Sequence, residues 1–135
     1  LICSHKDIDT LARTVFGEAR GETRLGQIAV AHAVLNRVKA ESWYGDTIEA
    51  VCRKKWQFSC WNADDPNLPK LKTVDLGNKY FRSCMFAALG VVNGWFPDPT
   101  EGSRHYHAKS VSPDWAQGKK PVRVIGVHKF YNDVR

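Results

Sequence analysis

From Leu25 to about Val38 the apolar residues Ile28, Val30, Ala31, Val34, Leu35 and Val38 fall on every side of a helical wheel. A helix that is apolar all round has no face to give to water, so it must lie inside a domain with other elements packed about it. Its polar members then need internal partners. Gln27 sits among apolar neighbours, and His32 and Asn36 share one face a turn apart, so each should be a hydrogen-bonded core group. A chain of 135 residues has room for one domain around such a helix, residues 1–135, and none for a second.

The segment before it reads as an amphipathic helix from about Ile8 to Arg20, with Asp7 or Asp9 as its N-cap and Gly21 as its stop. Ile8, Leu11, Ala12, Val15, Phe16 and Ala19 form its apolar face. Glu18 falls on the border of that face beside Leu11 and Val15. A carboxyl half withdrawn from water has its charged form disfavoured, which moves its pKa toward the range of a general acid.

A short helix is expected around Thr47 to Arg53. The aromatic segment Trp56-Gln57-Phe58-Ser59-Cys60-Trp61-Asn62 follows, and then a loop through Asp64-Asp65-Pro66 that is long enough to line a site. A further amphipathic helix is predicted from about Val74 to Val92, burying Tyr80, Phe81, Cys84, Ala88 and Val91 and ending at Asn93-Gly94. The tail holds two β-prone runs, Arg104 to His107 and Val122 to Tyr131, joined by a Pro-containing loop and read as an antiparallel ribbon. Helices first and strands last give an α+β, mainly helical fold with a small ribbon in its C-terminal third.

A net charge of +6 and a pI near 9.3 favour a polyanionic partner. The basic residues are scattered, apart from Arg53-Lys54-Lys55, read as a solvated surface, and Lys119-Lys120. No basic helix or aromatic-and-basic sheet motif points to nucleic acid. No run of about 18 apolar residues is present to enter a membrane. A start without Met or a leader leads us to expect a trimmed, mature form. The four cysteines contain no Cys-x-x-Cys pair for zinc and allow three disulfide pairings. The pairing to test is Cys52 with Cys60 and Cys3 with Cys84, against four free thiols.

Several blocks occur in order along the chain. They are Ala12-Arg13-Thr14-Val15-Phe16-Gly17-Glu18-Ala19-Arg20-Gly21-Glu22, Gly26-Gln27-Ile28-Ala29-Val30-Ala31, Val34-Leu35-Asn36-Arg37-Val38 and Trp56-Gln57-Phe58-Ser59-Cys60-Trp61. Asp98-Pro99-Thr100, His105-Tyr106-His107-Ala108, Pro113-Asp114-Trp115 and Ile125 to Tyr131 follow. Together they resemble the SleB-type cell-wall hydrolase family, which includes spore-cortex-lytic enzymes and some phage lysins.

The resemblance implies a lysozyme-like domain that cuts peptidoglycan glycan strands between N-acetylmuramic acid and N-acetylglucosamine, with Glu18 as the catalytic glutamate. It favours the lytic transglycosylase route over muramidase hydrolysis. In that route one glutamate serves as acid and then base and the product carries an anhydro-muramyl end. Hydrolysis would need a second carboxylate, for which Glu22, Asp98 and Glu101 are candidates. The expected substrate contacts are Glu22, Gln27, Gln57, Phe58, Ser59, Trp61, His105, Tyr106 and His107. Trp56 also offers a flat face to sugar, and Glu22 has the alternative role of capping its turn. No cofactor, metal or nucleic acid is expected. The chain should act as a monomer outside the cytoplasm, in wall, periplasm or spore cortex, or as a phage product delivered to the wall.

Three rival readings use other residues. His105 and His107, alternating on a strand, would hold zinc with His128 or Asp114 in a wall amidase or peptidase. Cys60 with a histidine would make a thiol peptidase. Basic charge and tryptophans alone would make a wall-binding module without turnover.

Overall fold

The computed structural model describes residues 3–135. Ser4 opens α1 (His5–Ala19) with a capping box: its hydroxyl accepts the Asp7 N–H, and the Asp7 carboxylate accepts the Ser4 N–H and O–H. The cap is thus Ser4, and Asp7 is the residue that answers it. The other Asp7 oxygen accepts the Glu49 N–H at 2.9 Å, which fixes the start of α1 against α3 (Ile48–Arg53).

The central helix α2 (Arg24–Lys39) is buried on all sides, as its pattern requires. Thr23 caps it. It packs against α1, α3 and α5 (Lys79–Val92), and α1 also lies along α5. The shared core runs from Leu11, Val15 and Phe16 through Val30, Val34 and Phe81 to Ile125 and Phe130. His32 and Asn36 find the partners they need: His32 Nε2 meets the Phe96 carbonyl at 2.9 Å, and Asn36 Nδ2 donates to Asp98 and to the Ser103 carbonyl.

Two elements differ from their sequence readings. The predicted long helix begins at Lys79, not Val74, because Asn78 accepts the N–H groups of Tyr80 and Phe81 and caps it there. Tyr80 consequently stands in the first turn, half exposed rather than buried. Before it lies a short helix, α4 (Leu68–Thr73), with Pro69 in its first turn.

The C-terminal strands form a three-stranded antiparallel sheet rather than a two-stranded ribbon. β1 (His105–Ala108) and β2 (Arg123–Ile125) flank the central β3 (His128–Tyr131). The run Val122 to Tyr131 folds back at Gly126-Val127, where Gly126 takes a left-handed φ of 57°. A Cβ on Gly126 would sit 2.1 Å from Glu22 Oε1, so a side chain here would both strain the backbone and displace the carboxylate on which this turn docks. Register places Tyr106, Ala108, Ile125, His128 and Phe130 on the face toward the core, and His105, His107, Lys129 and Tyr131 on the other.

All four cysteines are free thiols. Cys3 lies near Asp7 at the start of α1, whereas Cys84 lies near Arg20 and Arg24 beyond its end. At about 1.5 Å per residue that is roughly a helix length apart, far outside disulfide reach. Cys52 and Cys60 face α1 one turn apart, one thiol bonded to Thr14 and the other to Glu18. Among the described residues no helix is long and apolar enough to cross a membrane.

Candidate active site

Glu18 projects from the last turn of α1, half-buried at the seam between the helices and the sheet. The Tyr106 hydroxyl, from the core face of β1, donates to Glu18 Oε1 at 2.5 Å, the length of a charge-assisted O–H···O⁻ bond. The Cys60 thiol also donates to this carboxyl. Gly17 makes that approach possible, because a Cβ there would meet Cys60 Cβ at 2.6 Å.

Burial is the largest influence on Glu18 and raises its pKa. The Tyr106 and Cys60 bonds and the Arg37 charge pull it down, and the nearby Asp65 charge adds to the rise. The net result is a raised pKa. Burial and the same carboxylate hold the Tyr106 hydroxyl well above its ordinary range, so it remains a donor.

Arg37 is a candidate functional side chain that the sequence reading missed. It is buried on α2, with Nε donating to the Arg104 carbonyl at 2.6 Å and one terminal nitrogen to Gln57 Oε1 at 2.8 Å. Its guanidinium lies 4.8 Å from the Phe58 ring centroid and faces Glu18 without pairing with it. The rule that singled out Gln27, His32 and Asn36 on a helix apolar all round applies equally to position 37, and would have found it.

Beside these groups a cleft of about 250 Å³ is lined by Arg37, Gln57, Tyr106 and His105, with Trp43, Trp56 and Trp115 around them. Of the expected substrate contacts, Gln57, His105 and Tyr106 therefore meet at one cleft, next to Glu18. Ser59 is exposed at the head of a 3-10 turn (Ser59–Trp61), and Trp61 is half-buried with its indole N–H on Thr14.

Four expected contacts have structural work instead. Phe58 is buried between the Arg37 guanidinium and Tyr106, because alternation along the segment turns it inward while Gln57 and Ser59 turn out. Gln27 is buried too, accepting from Ser83 and donating to the Ala19 and Glu22 carbonyls. His107 is committed through both ring nitrogens, to the Ala108 carbonyl and the Tyr131 hydroxyl. Glu22 accepts the Val127 N–H at 2.9 Å and so holds the β2–β3 turn.

The candidates for a second carboxylate fare differently. Asp98 accepts from Thr100 N–H and O–H, the Gly102 N–H and Asn36, which outweigh burial and lower its pKa. It is an ionised loop organiser with no free lone pair to turn to a substrate. Glu101 is exposed on a left-handed turn at φ 54°.

The rival chemistries lose their geometry. His128 projects from the sheet face opposite His105 and His107, against Tyr106, so the three imidazoles do not converge. Among the described residues no group of three His, Cys, Asp or Glu side chains is placed to hold a metal. Cys60 is buried, and burial together with Glu18 raises its thiol pKa, the reverse of what a thiolate nucleophile needs.

This site and fold belong to a defined class. The chain is a member of the cell wall hydrolase family, whose profile matches residues 21–131. It is 31% identical to the spore cortex-lytic enzyme of Bacillus cereus over 128 residues and 30% identical to that of Bacillus subtilis over 131. Each match covers 94% of this chain, but only 44% and 38% of those enzymes, so the chain spans less than half the length of the curated relatives it matches. With about eight residues left uncovered (6% of 135), the B. cereus match takes in Glu18, which precedes the profile match.

The crystal structure of the catalytic domain of B. cereus SleB superposes with a TM-score of 0.75 at 30% identity, covering 94% of this chain and 90% of that one. The catalytic domain of the germination-specific lytic transglycosylase SleB from Bacillus anthracis gives 0.73 at 30% identity, with 95% of each chain covered. The fold is the lysozyme-like α+β arrangement expected from the sequence.

Proposed function

We propose that this chain cleaves peptidoglycan between N-acetylmuramic acid and N-acetylglucosamine as a lytic transglycosylase, with Glu18 as acid and then base. The observation that carries this reading is Glu18 itself: one carboxyl with a raised pKa, hydrogen-bonded by Tyr106 beside an aromatic cleft.

Protonated Glu18 gives its proton to the glycosidic oxygen as the bond from muramic C1 breaks, and an oxocarbenium-like centre develops at C1. The resulting carboxylate is held by the Tyr106 hydroxyl and faced by the Arg37 guanidinium, which steady the charge as it appears. The muramic C6 hydroxyl then attacks C1, and its proton passes to Glu18. One bond breaks, one forms, the glutamate is regenerated and no water is consumed. The commitment of Asp98 to its loop and of Glu22 to the β2–β3 turn supports a route that uses a single carboxylate.

Gln57 supplies an amide whose oxygen is already fixed by Arg37, leaving its NH₂ free to bond an N-acetyl or hydroxyl group. Trp43, Trp56 and Trp115 supply faces for sugar rings. The enzyme acts outside the cytoplasm, as a monomer and without a cofactor.

The test is the Glu18→Gln variant, which keeps the side chain's size and removes its transferable proton. Wild type should clear purified cell walls while the variant binds and sediments with them without clearing. Equal clearing by both would remove Glu18 from the acid role. Sedimentation by both with clearing by neither would make the chain a binding module.

A further inference from the structure

The proposed cleft does not end at Trp56. The same indole lines a second cavity of about 420 Å³, together with Arg53, Lys54, Lys55, Trp61 and Asn62. Two features of it are unusual for a solvated surface.

The first is the unpaired charge. Among the described residues the ion pairs are Lys6–Glu49, Arg13–Asp9 and Lys119–Asp133, so none of the three cavity cations meets a carboxylate. Lys54 is spent on the Trp43 carbonyl. The Arg53 guanidinium lies 4.5 Å from the Trp61 ring centroid and the Lys55 ammonium 5.3 Å from that of Trp56, so aromatic faces position both while their donors stay free. Asp64 also lines the cavity and leaves its balance positive.

The second feature is Trp56. Its ring is 72% exposed and its backbone is left-handed at φ 69°, a conformation disfavoured for a bulky residue. A chain that holds an indole out on strained backbone between two cavities presents a surface for a ligand to stack on.

We infer that this second cavity is a subsite for a carboxylate-bearing substituent of the glycan: the peptide stem carried by a muramic residue next to the one being cleaved. The inference rests on the proposed substrate. Planar recognition of a carboxylate suits the fork of Arg53, and Lys55 adds a mobile point charge. Trp56 then has a role on both sides, stacking a sugar in the cleft and walling off the stem's cavity.

The test measures binding, so that it stands even if the chain proves not to cleave glycan. Soluble, phosphate-free glycan oligosaccharides are prepared with intact stems and with stems removed by an amidase. Each is titrated into Glu18→Gln and into the same chain carrying Arg53→Gln and Lys55→Gln, with tryptophan fluorescence as the signal. Both substituted positions are exposed, so the fold is retained. Stem-bearing glycan should bind Glu18→Gln about five- to tenfold more tightly than stripped glycan, as one or two charged contacts provide. The added substitutions should abolish that preference and leave stripped glycan unaffected.

Equal affinity for the two glycans, or a preference that survives the substitutions, would overturn the subsite. Charge-dependent binding seen only with walls that retain phosphate polymers would overturn it in favour of phosphate. Cleavage of stripped glycan by the Arg53→Gln, Lys55→Gln chain with Glu18 intact tests the enzymatic reading separately.

Discussion

Tyr106→Phe removes one oxygen and with it the bond from the phenol to Glu18. At 2.5 Å that bond is of the charge-assisted kind when Glu18 is ionised and an ordinary one when Glu18 is protonated. Bonds to charged groups contribute about 1.5–3 kcal/mol and neutral ones about 0.5–1.5 kcal/mol. The stability lost on substitution should therefore be larger by about 1–1.5 kcal/mol where Glu18 is a carboxylate than where it is an acid. The Cys60 thiol and the Arg37 charge remain, which places the alkaline loss at the lower end of its range.

The sign for catalysis follows from the same bond. The phenol favours the ionised form, so its loss raises the proton affinity of Glu18 further. A reaction that starts from protonated Glu18 then keeps its rate to higher pH. Urea unfolding of wild type and variant between about pH 4 and about pH 9 measures the first effect. Initial rates of wall clearing over the same range measure the second. A loss of stability that does not change with pH, or an alkaline limb that stays in place or moves down, would refute the coupling between Tyr106 and Glu18.

Other perturbations have equally definite signs. Asp98→Ala should cost about 2–3 kcal/mol at neutral pH, by urea unfolding, since its carboxylate organises the turn through Gly102. Because its folded pKa is depressed, the contribution is present above the ordinary aspartate range and fades as pH falls through the folded value, so the variant's deficit should shrink in acid. Gly126→Ala should cost about 1–3 kcal/mol, through the left-handed φ and the clash with Glu22. Prior substitution of Glu22→Ala should recover the steric part alone, and full additivity of the two changes would contradict the contact. The His105 imidazole, held down to about 4 chiefly by burial and then by Arg37 and Arg104, should show no protonation by NMR titration above about pH 5.

Much of this arrangement is written in local patterns. An all-round apolar stretch fixed α2 at the centre, and the border position of Glu18 on α1 anticipated its raised pKa. What escaped was long-range. Nothing near Phe58 in sequence says that Arg37 will cover its ring, and nothing near Glu22 says that a turn a hundred residues later will need its carboxylate.

Shorter elements fell below the period that reveals them. The helix α4 spans six residues and the hairpin turn two, so neither gives a full repeat of apolar residues. A helix phase counted from Val74 puts Tyr80 in the core, whereas the Asn78 cap starts the helix later and leaves Tyr80 in its exposed first turn. An even cysteine count allows Cys3 to pair with Cys84, and position along α1 decides against it.

The central claim is that Glu18 alone, as acid and then base, releases glycan with an anhydro-muramyl end. Mass spectrometry of the soluble products from purified peptidoglycan tests it directly. Wild type should yield anhydro-muramyl ends and Glu18→Gln none. Reducing muramic ends without anhydro species, or unchanged products from Glu18→Gln, would contradict the account.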